Sequence, residues 1–183
     1  EYIEEYPFIK KLVASDAALE AQRTMHKNID LSNILVCPSG VGRKEEIKKN
    51  LTQKEPTYDC LIYFKKRDIK ELEMIIDLLN VKGLSYNVLE YGKYKSQNLD
   101  KLAKKSKFGI ILNKTESQGF AIQRLMSKNL PLIVWDYQLN LYEGFKIKST
   151  SVPLWNDSQC GIKVSSLKNK DINFDNFIQN LEN

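Results

Sequence analysis

The chain is poor in the residues that build metal centres, crosslinks and membrane spans. Its 183 residues include a single histidine, His26, and three widely spaced cysteines, Cys37, Cys60 and Cys160. A zinc site needs three or four suitable ligands, so no metal centre is expected, and nothing supports a Cys-His nucleophilic pair. An odd number of cysteines without a Cys-x-x-Cys pair points to buried thiols in a reducing, cytoplasmic setting. The longest apolar run, Leu130 to Trp135, contains a proline and falls far short of the ~20 residues of a spanning helix. No transmembrane segment is expected, and no secretory signal opens the chain.

Glycine (8) and proline (5) are also scarce, while 42% of residues are hydrophobic and 28% charged, which excludes collagen-like, disordered and disulfide-scaffold classes. A chain of this length buries about 70% of its extended-state surface, enough for a core without staples. Charge of one sign is not concentrated either. Lys and Arg number 28 against 23 Asp and Glu, a net +5, and the basic clusters are short. Nucleic-acid binders gather charge on one face or helix, so no nucleic acid is expected, and small anionic ligands such as phosphate esters fit better.

Strand-like and helix-like runs alternate throughout. Ser15-Asp16 caps an expected helix over Ala17 to Met25, and Asn33 to Cys37 is a short β-branched run. Lys44 to Leu51 has room for two helical turns before a loop at Thr52 to Pro56. Tyr58 to Phe64 is a continuous apolar strand, as suits a parallel strand covered on both faces. Ile69, Leu72, Ile75, Ile76 and Leu79 then fall on one helical stripe behind Asp68, and Gly83 ends it. Strands are expected at Ser85 to Tyr91, Phe108 to Leu112, Leu132 to Trp135 and Ile162 to Val164. Helices are expected at Leu99 to Ser106, at Ser117 to Ser127 and around Phe174 to Leu181, the last with Asp171 or Asn173 as cap. Asp136 to Gly161 shows no period. This alternation implies an α/β fold, a Rossmann-like, doubly wound parallel sheet.

In such sheets ligands bind beyond the carboxyl ends of strands, where the winding reverses. Four strand ends carry candidates. Ser39-Gly-Val-Gly42 is followed by Arg43, Lys44 and Glu45, so a dinucleotide fingerprint fails. Lys65-Lys66-Arg67 stands between a strand and a helix start, a plausible diphosphate clamp. Tyr91-Gly92-Lys93 lets a ligand approach the backbone. Asn113-Lys-Thr-Glu-Ser-Gln-Gly-Phe120 combines a carboxylate with glycine at a helix start: peptide N–H groups for phosphate beside a carboxylate for sugar hydroxyls.

The run Thr115-Glu-Ser-Gln-Gly-Phe-Ala-Ile-Gln-Arg-Leu-Met-Ser-Lys-Asn-Leu-Pro131, then Leu-Ile-Val-Trp-Asp136, resembles the donor-site signature of GT-B glycosyltransferases, the glycosyl transferases group 1 superfamily. Leu12-Val-Ala-Ser15, Ile34 to Val41, Leu61 to Arg67 and Cys160 to Val164 are similar to flanking segments in the same order. The resemblance implies the C-terminal, donor-binding lobe of that fold: residues 57–183, with 1–56 a remnant of the acceptor-side lobe and linker. It implies transfer of a sugar from a nucleotide-diphosphate sugar to a glycan or other acceptor, with no further cofactor. Glu116 and Lys66 would be the catalytic pair. Lys65, Arg67, Tyr91, Gly92, Ser117, Gln118, Gly119, Phe120 and Arg124 would bind the donor. Arg124 stands where the family has a second, ribose-binding Glu, which raises the alternative of a degenerate, non-catalytic nucleotide-binding or scaffold module. Because the chain opens at Glu1 and has room for one lobe, a piece of a larger enzyme with an N-terminal GT-B lobe as partner is expected.

Overall fold

The computed structural model describes residues 10–26, 30–41, 56–156, 159–165 and 172–181. In chain order the elements are β1 (Lys11–Val13), α1 (Asp16–Met25), β2 (Ile34–Val36), β3 (Tyr58–Lys65), α2 (Ile69–Val81), β4 (Tyr86–Glu90), α3 (Ser96–Ala103) and β5 (Ser106–Asn113). There follow α4 (Phe120–Met126), β6 (Leu132–Trp135), β7 (Leu139–Tyr142), β8 (Phe145–Lys148), β9 (Gly161–Val164) and α5 (Ile172–Leu181). The helical turns expected at Lys44 to Leu51, Gly42, Arg43 and the cap at Asp171 lie outside the described residues.

Five strands form one wholly parallel sheet in the order β4-β3-β5-β6-β9. The fold is therefore α/β with a parallel sheet flanked by helices, compatible with a Rossmann-like architecture. Both faces are covered, which is why the strands read as unbroken apolar runs. Side chains alternate across β3: Cys60, Ile62 and Phe64 pack with Leu72, Ile75 and Leu79 of α2 on one face. Leu61 and Tyr63 pack with Leu99 of α3 and Ile122 and Leu125 of α4 on the other. After β3 the chain turns to β4 on one side and then crosses to β5 on the other, so the winding reverses between β3 and β5. The ends of those two strands, Lys65 and Asn113, are register partners.

Several expected elements shift for local reasons. Ile69, expected on the buried stripe of α2, is 54% exposed because it is the first residue of the helix, at the rim of the sheet. Asp68 caps that helix, its carboxylate accepting from the Lys70 amide at 3.0 Å. α3 starts three residues earlier than its apolar spacing predicts, and Ser106, expected as its last residue, already opens β5. α4 starts three residues later, because Ser117 and Gln118 are held elsewhere and Gly119, at φ 75°, caps it in the left-handed region.

The segment expected to be aperiodic contains an antiparallel hairpin, β7–β8, closed by Glu143 and Gly144. Both have positive φ, the two-residue turn whose twist matches paired strands. At the far edge, Gly161 (φ 126°) opens β9 so close to β6 that a Cβ there would lie 1.9 Å from the Leu132 carbonyl oxygen. Only glycine fits that approach.

β1 and β2 make a separate two-stranded parallel sheet joined through α1. Ser15, fully buried, caps α1 by accepting from the Ala18 amide and donates its hydroxyl hydrogen to the Ser117 carbonyl. Gln118 grips Ser39 from the other side, accepting from its amide at 3.1 Å and donating to its carbonyl at 2.5 Å. The small unit is thus fastened to the residues immediately after Glu116.

Candidate functional site

The reversal point between β3 and β5 is where the sequence-nominated residues meet. β3 ends by sending Lys65 to the same face as Leu61 and Tyr63, over α3 and α4. The loop after β5 brings Glu116 back over that face, and Lys65 Nζ donates to Glu116 Oε1 at 2.7 Å. Asn113, fully buried at the end of β5, donates from Nδ2 to the same oxygen at 3.2 Å and to the Ser151 carbonyl at 2.9 Å. Ser151 returns a bond from its hydroxyl to the Asn113 carbonyl, so the carboxylate rests on a braced platform. Glu116 Oε2 has no hydrogen-bond partner among the described residues. One carboxylate oxygen is fixed and the other is available to a ligand hydroxyl.

This pair forms part of a cavity of about 260 Å³. Tyr63, Tyr91 and Tyr94 supply aromatic and hydroxyl surface, while Phe120, Ala121 and Arg124 of α4 close the opposite wall. Lys65 Nζ lies 4.4 Å from the centre of the Tyr91 ring, an attraction of an ammonium for an aromatic face. Tyr94 meets Tyr63 edge-on at 6.3 Å. Burial pushes the Tyr63 hydroxyl well above its ordinary pKa, with Tyr94 and Glu116 adding to the rise, and burial raises Tyr94 as well.

Comparison with family models, curated proteins and solved structures finds no match. No family is assigned on that ground.

The three cations after β3 separate sharply. Lys65 alone faces the cavity. Lys66, expected as one of the catalytic pair, turns outward with φ 53°, is exposed and lines no part of the cavity. Arg67, expected to meet a diphosphate, is turned inward with its side chain only 3% exposed. Its guanidinium donates to both oxygens of Glu71 at 2.5 and 2.8 Å and to the carbonyls of Asn113 and Trp135 at 3.2 and 3.1 Å. It also stacks 4.8 Å from the Trp135 ring. Those bonds engage four of its five N–H groups, so Arg67 ties the ends of β5 and β6 to α2.

Arg124 does line the cavity, held by a two-pronged pair with Asp100 of α3 at 2.8 and 2.6 Å. Those hydrogen bonds keep the Asp100 carboxyl below the usual carboxylate range despite an opposing push from partial burial. Gly92 borders Tyr91 with open space above it. Ser117 and Gln118 are committed to the small β1–β2 unit, and Gln118 also donates to Gln123 Oε1 at 3.1 Å. Gly119 and Phe120 stand at the start of α4, where no side chain caps the helix and Phe120 is half exposed. His26 is exposed at the end of α1 and does not line this cavity.

Sequence reasoning missed Tyr63 and Tyr94 in the cavity wall and Ser151 beneath it. Tyr63 was hidden in an apolar run, though a phenol two positions before the cation that ends the strand, and so on the same face, is a usable signal. Among the described residues no cluster of His, Cys, Asp and Glu could hold a metal ion, and no helix is long and apolar enough to cross a membrane.

Proposed function

We propose that the chain is the donor-binding lobe of a GT-B glycosyltransferase, holding a nucleotide-diphosphate sugar in the cavity at the β3–β5 reversal. The observation that carries this reading is the meeting of Lys65 and Glu116, from two different strand ends, in one cavity with a free carboxylate oxygen. An ammonium supplies charge for the diphosphate leaving group, where stabilising developing negative charge lowers the barrier. The carboxylate accepts from the sugar hydroxyls, and its bond to Lys65 keeps the cation neutralised until the ligand arrives. The tyrosines offer aromatic faces to the base.

Titration calorimetry with uridine, guanosine and adenosine diphosphates and the matching nucleotide sugars tests it. One nucleotide series binds. Lys65→Ala weakens nucleotide and nucleotide sugar alike. Glu116→Ala abolishes the extra affinity that the sugar confers while leaving the bare diphosphate bound, since it removes a sugar contact and releases Lys65. Absence of binding by every nucleotide refutes the reading.

Arg124, tied to Asp100 where the family has a ribose-binding Glu, favours a second reading, a nucleotide-binding module without turnover. That reading gives the same titrations but no sugar release from the bound donor when the partner lobe is supplied.

A further inference from the structure

The β7–β8 hairpin turns an apolar and cationic face to the outside. Leu139, Leu141, Tyr142 and Phe145 are between 39% and 67% exposed. The pairing register sorts the side chains. Leu139 stands opposite Lys148 and Leu141 opposite Lys146, and opposed residues of a strand pair share a face. Asn140 and Ile147 fall on the other face, where Ile147 is buried and α1 packs against β8. Both lysines of the outward face are exposed, and among the described residues neither is in an ion pair. Glu143, in the turn, is the hairpin's one carboxylate, so the element is cationic on a chain that is itself +5. Its base is fixed by three bonds. The Ser149 amide donates to the Gln138 carbonyl at 3.0 Å, the Ser149 hydroxyl to the Tyr137 carbonyl at 3.2 Å, and the Tyr137 amide to the Ser151 hydroxyl at 3.0 Å.

We propose that this face docks the protein on a bilayer surface rich in anionic lipid, lying in the interface without spanning it. Lysine set beside leucine argues for lipid over protein, because the buried centre of a protein interface is depleted of lysine. At a bilayer the leucine carbons leave water for the acyl boundary. Each lysine stem lies along them and carries its ammonium to the phosphates. Tyr142 and Phe145, paired beside the turn, add aromatic surface of the kind that enters the headgroup layer. Leu12 of β1 makes the contrast: it is 66% exposed, yet its register partner is Leu35 and not a cation. The hairpin grows from the carboxyl end of β6, the sheet end that carries the Lys65–Glu116 cavity, and the docking holds whatever that cavity binds.

Co-sedimentation of the full chain with vesicles tests it, using phosphatidylcholine alone and an equal mixture of phosphatidylcholine and phosphatidylglycerol. The expected result is saturable binding to the mixed vesicles that salt weakens, and none to phosphatidylcholine alone. Lys146→Glu with Lys148→Glu weakens it at least tenfold, and so does Leu139→Ser with Leu141→Ser. Leu12→Ser leaves it unchanged, and circular dichroism confirms that each variant keeps the parent fold. Absence of binding to the mixed vesicles overturns the proposal, as does binding that both hairpin double variants leave intact. Loss in the lysine variant alone also overturns it, since the contact is then charge attraction without entry of the leucines. An equal loss on Leu12→Ser overturns it by moving the docking surface to β1–β2. A dimer that the leucine variant dissolves, in a chain that ignores vesicles, overturns it in favour of a second copy on this face.

Discussion

Two cations leave the end of β3 two residues apart and enter opposite surroundings. Lys65 faces an open cavity, bonded to one carboxylate and lying against one aromatic ring. Arg67 faces the interior, where a carboxylate, two carbonyls and an indole engage it. The difference teaches that charge at a strand end is not by itself evidence of a ligand. A planar guanidinium with five donors suits a closed socket, while a compact ammonium is easily re-paired when a ligand competes for it.

The comparison can be broken by substitution, most severely at the closed socket. Arg67→Ala should cost about 3–5 kcal/mol in urea unfolding, because it leaves the Glu71 carboxylate without its partner and removes a donor from two strand-end carbonyls at once. Asn113→Ala should come next, at about 2 kcal/mol, since it removes a buried amide that braces Glu116 and the Ser151 segment. Lys65→Met should cost only about 1 kcal/mol, because the cavity admits water to Glu116, yet it should weaken diphosphate binding about tenfold or more by calorimetry. Equal stability losses at Lys65 and Arg67 would erase the distinction between socket and cavity.

The smallest effect concerns acid. Arg124 holds the Asp100 carboxyl below its unfolded value, so this pair stabilises the fold fully above about pH 3.9, the ordinary aspartate value, and less as pH falls through the lowered folded value. Asp100→Asn should therefore lose less stability than the parent between about pH 5 and about pH 2. Urea midpoints across that range measure the slope.

The parallel sheet was legible because its strands are apolar without interruption: Leu61 to Phe64 and Leu132 to Trp135 have no polar face to hide. The placement of Glu116 beside the cations after β3 was legible too, since a doubly wound sheet brings strand ends to one edge. Which of Lys65, Lys66 and Arg67 faces the cavity was not, because it depends on the register of a turn in which Lys66 takes a left-handed conformation. The β7–β8 hairpin escaped notice for a related reason. Its alternation is carried by exposed Leu139 and Leu141 opposite lysines, and its turn uses Glu143 where asparagine or aspartate would have advertised it.

The fastening of the small β1–β2 unit has a mechanical consequence. Ser15 and Ser39 grip the two residues that follow Glu116, so the unit and the carboxylate are geared together. Any displacement of that unit would be felt first at Ser117 and Gln118, so the position of the carboxylate depends on residues a hundred positions earlier in the chain as well as on its own loop.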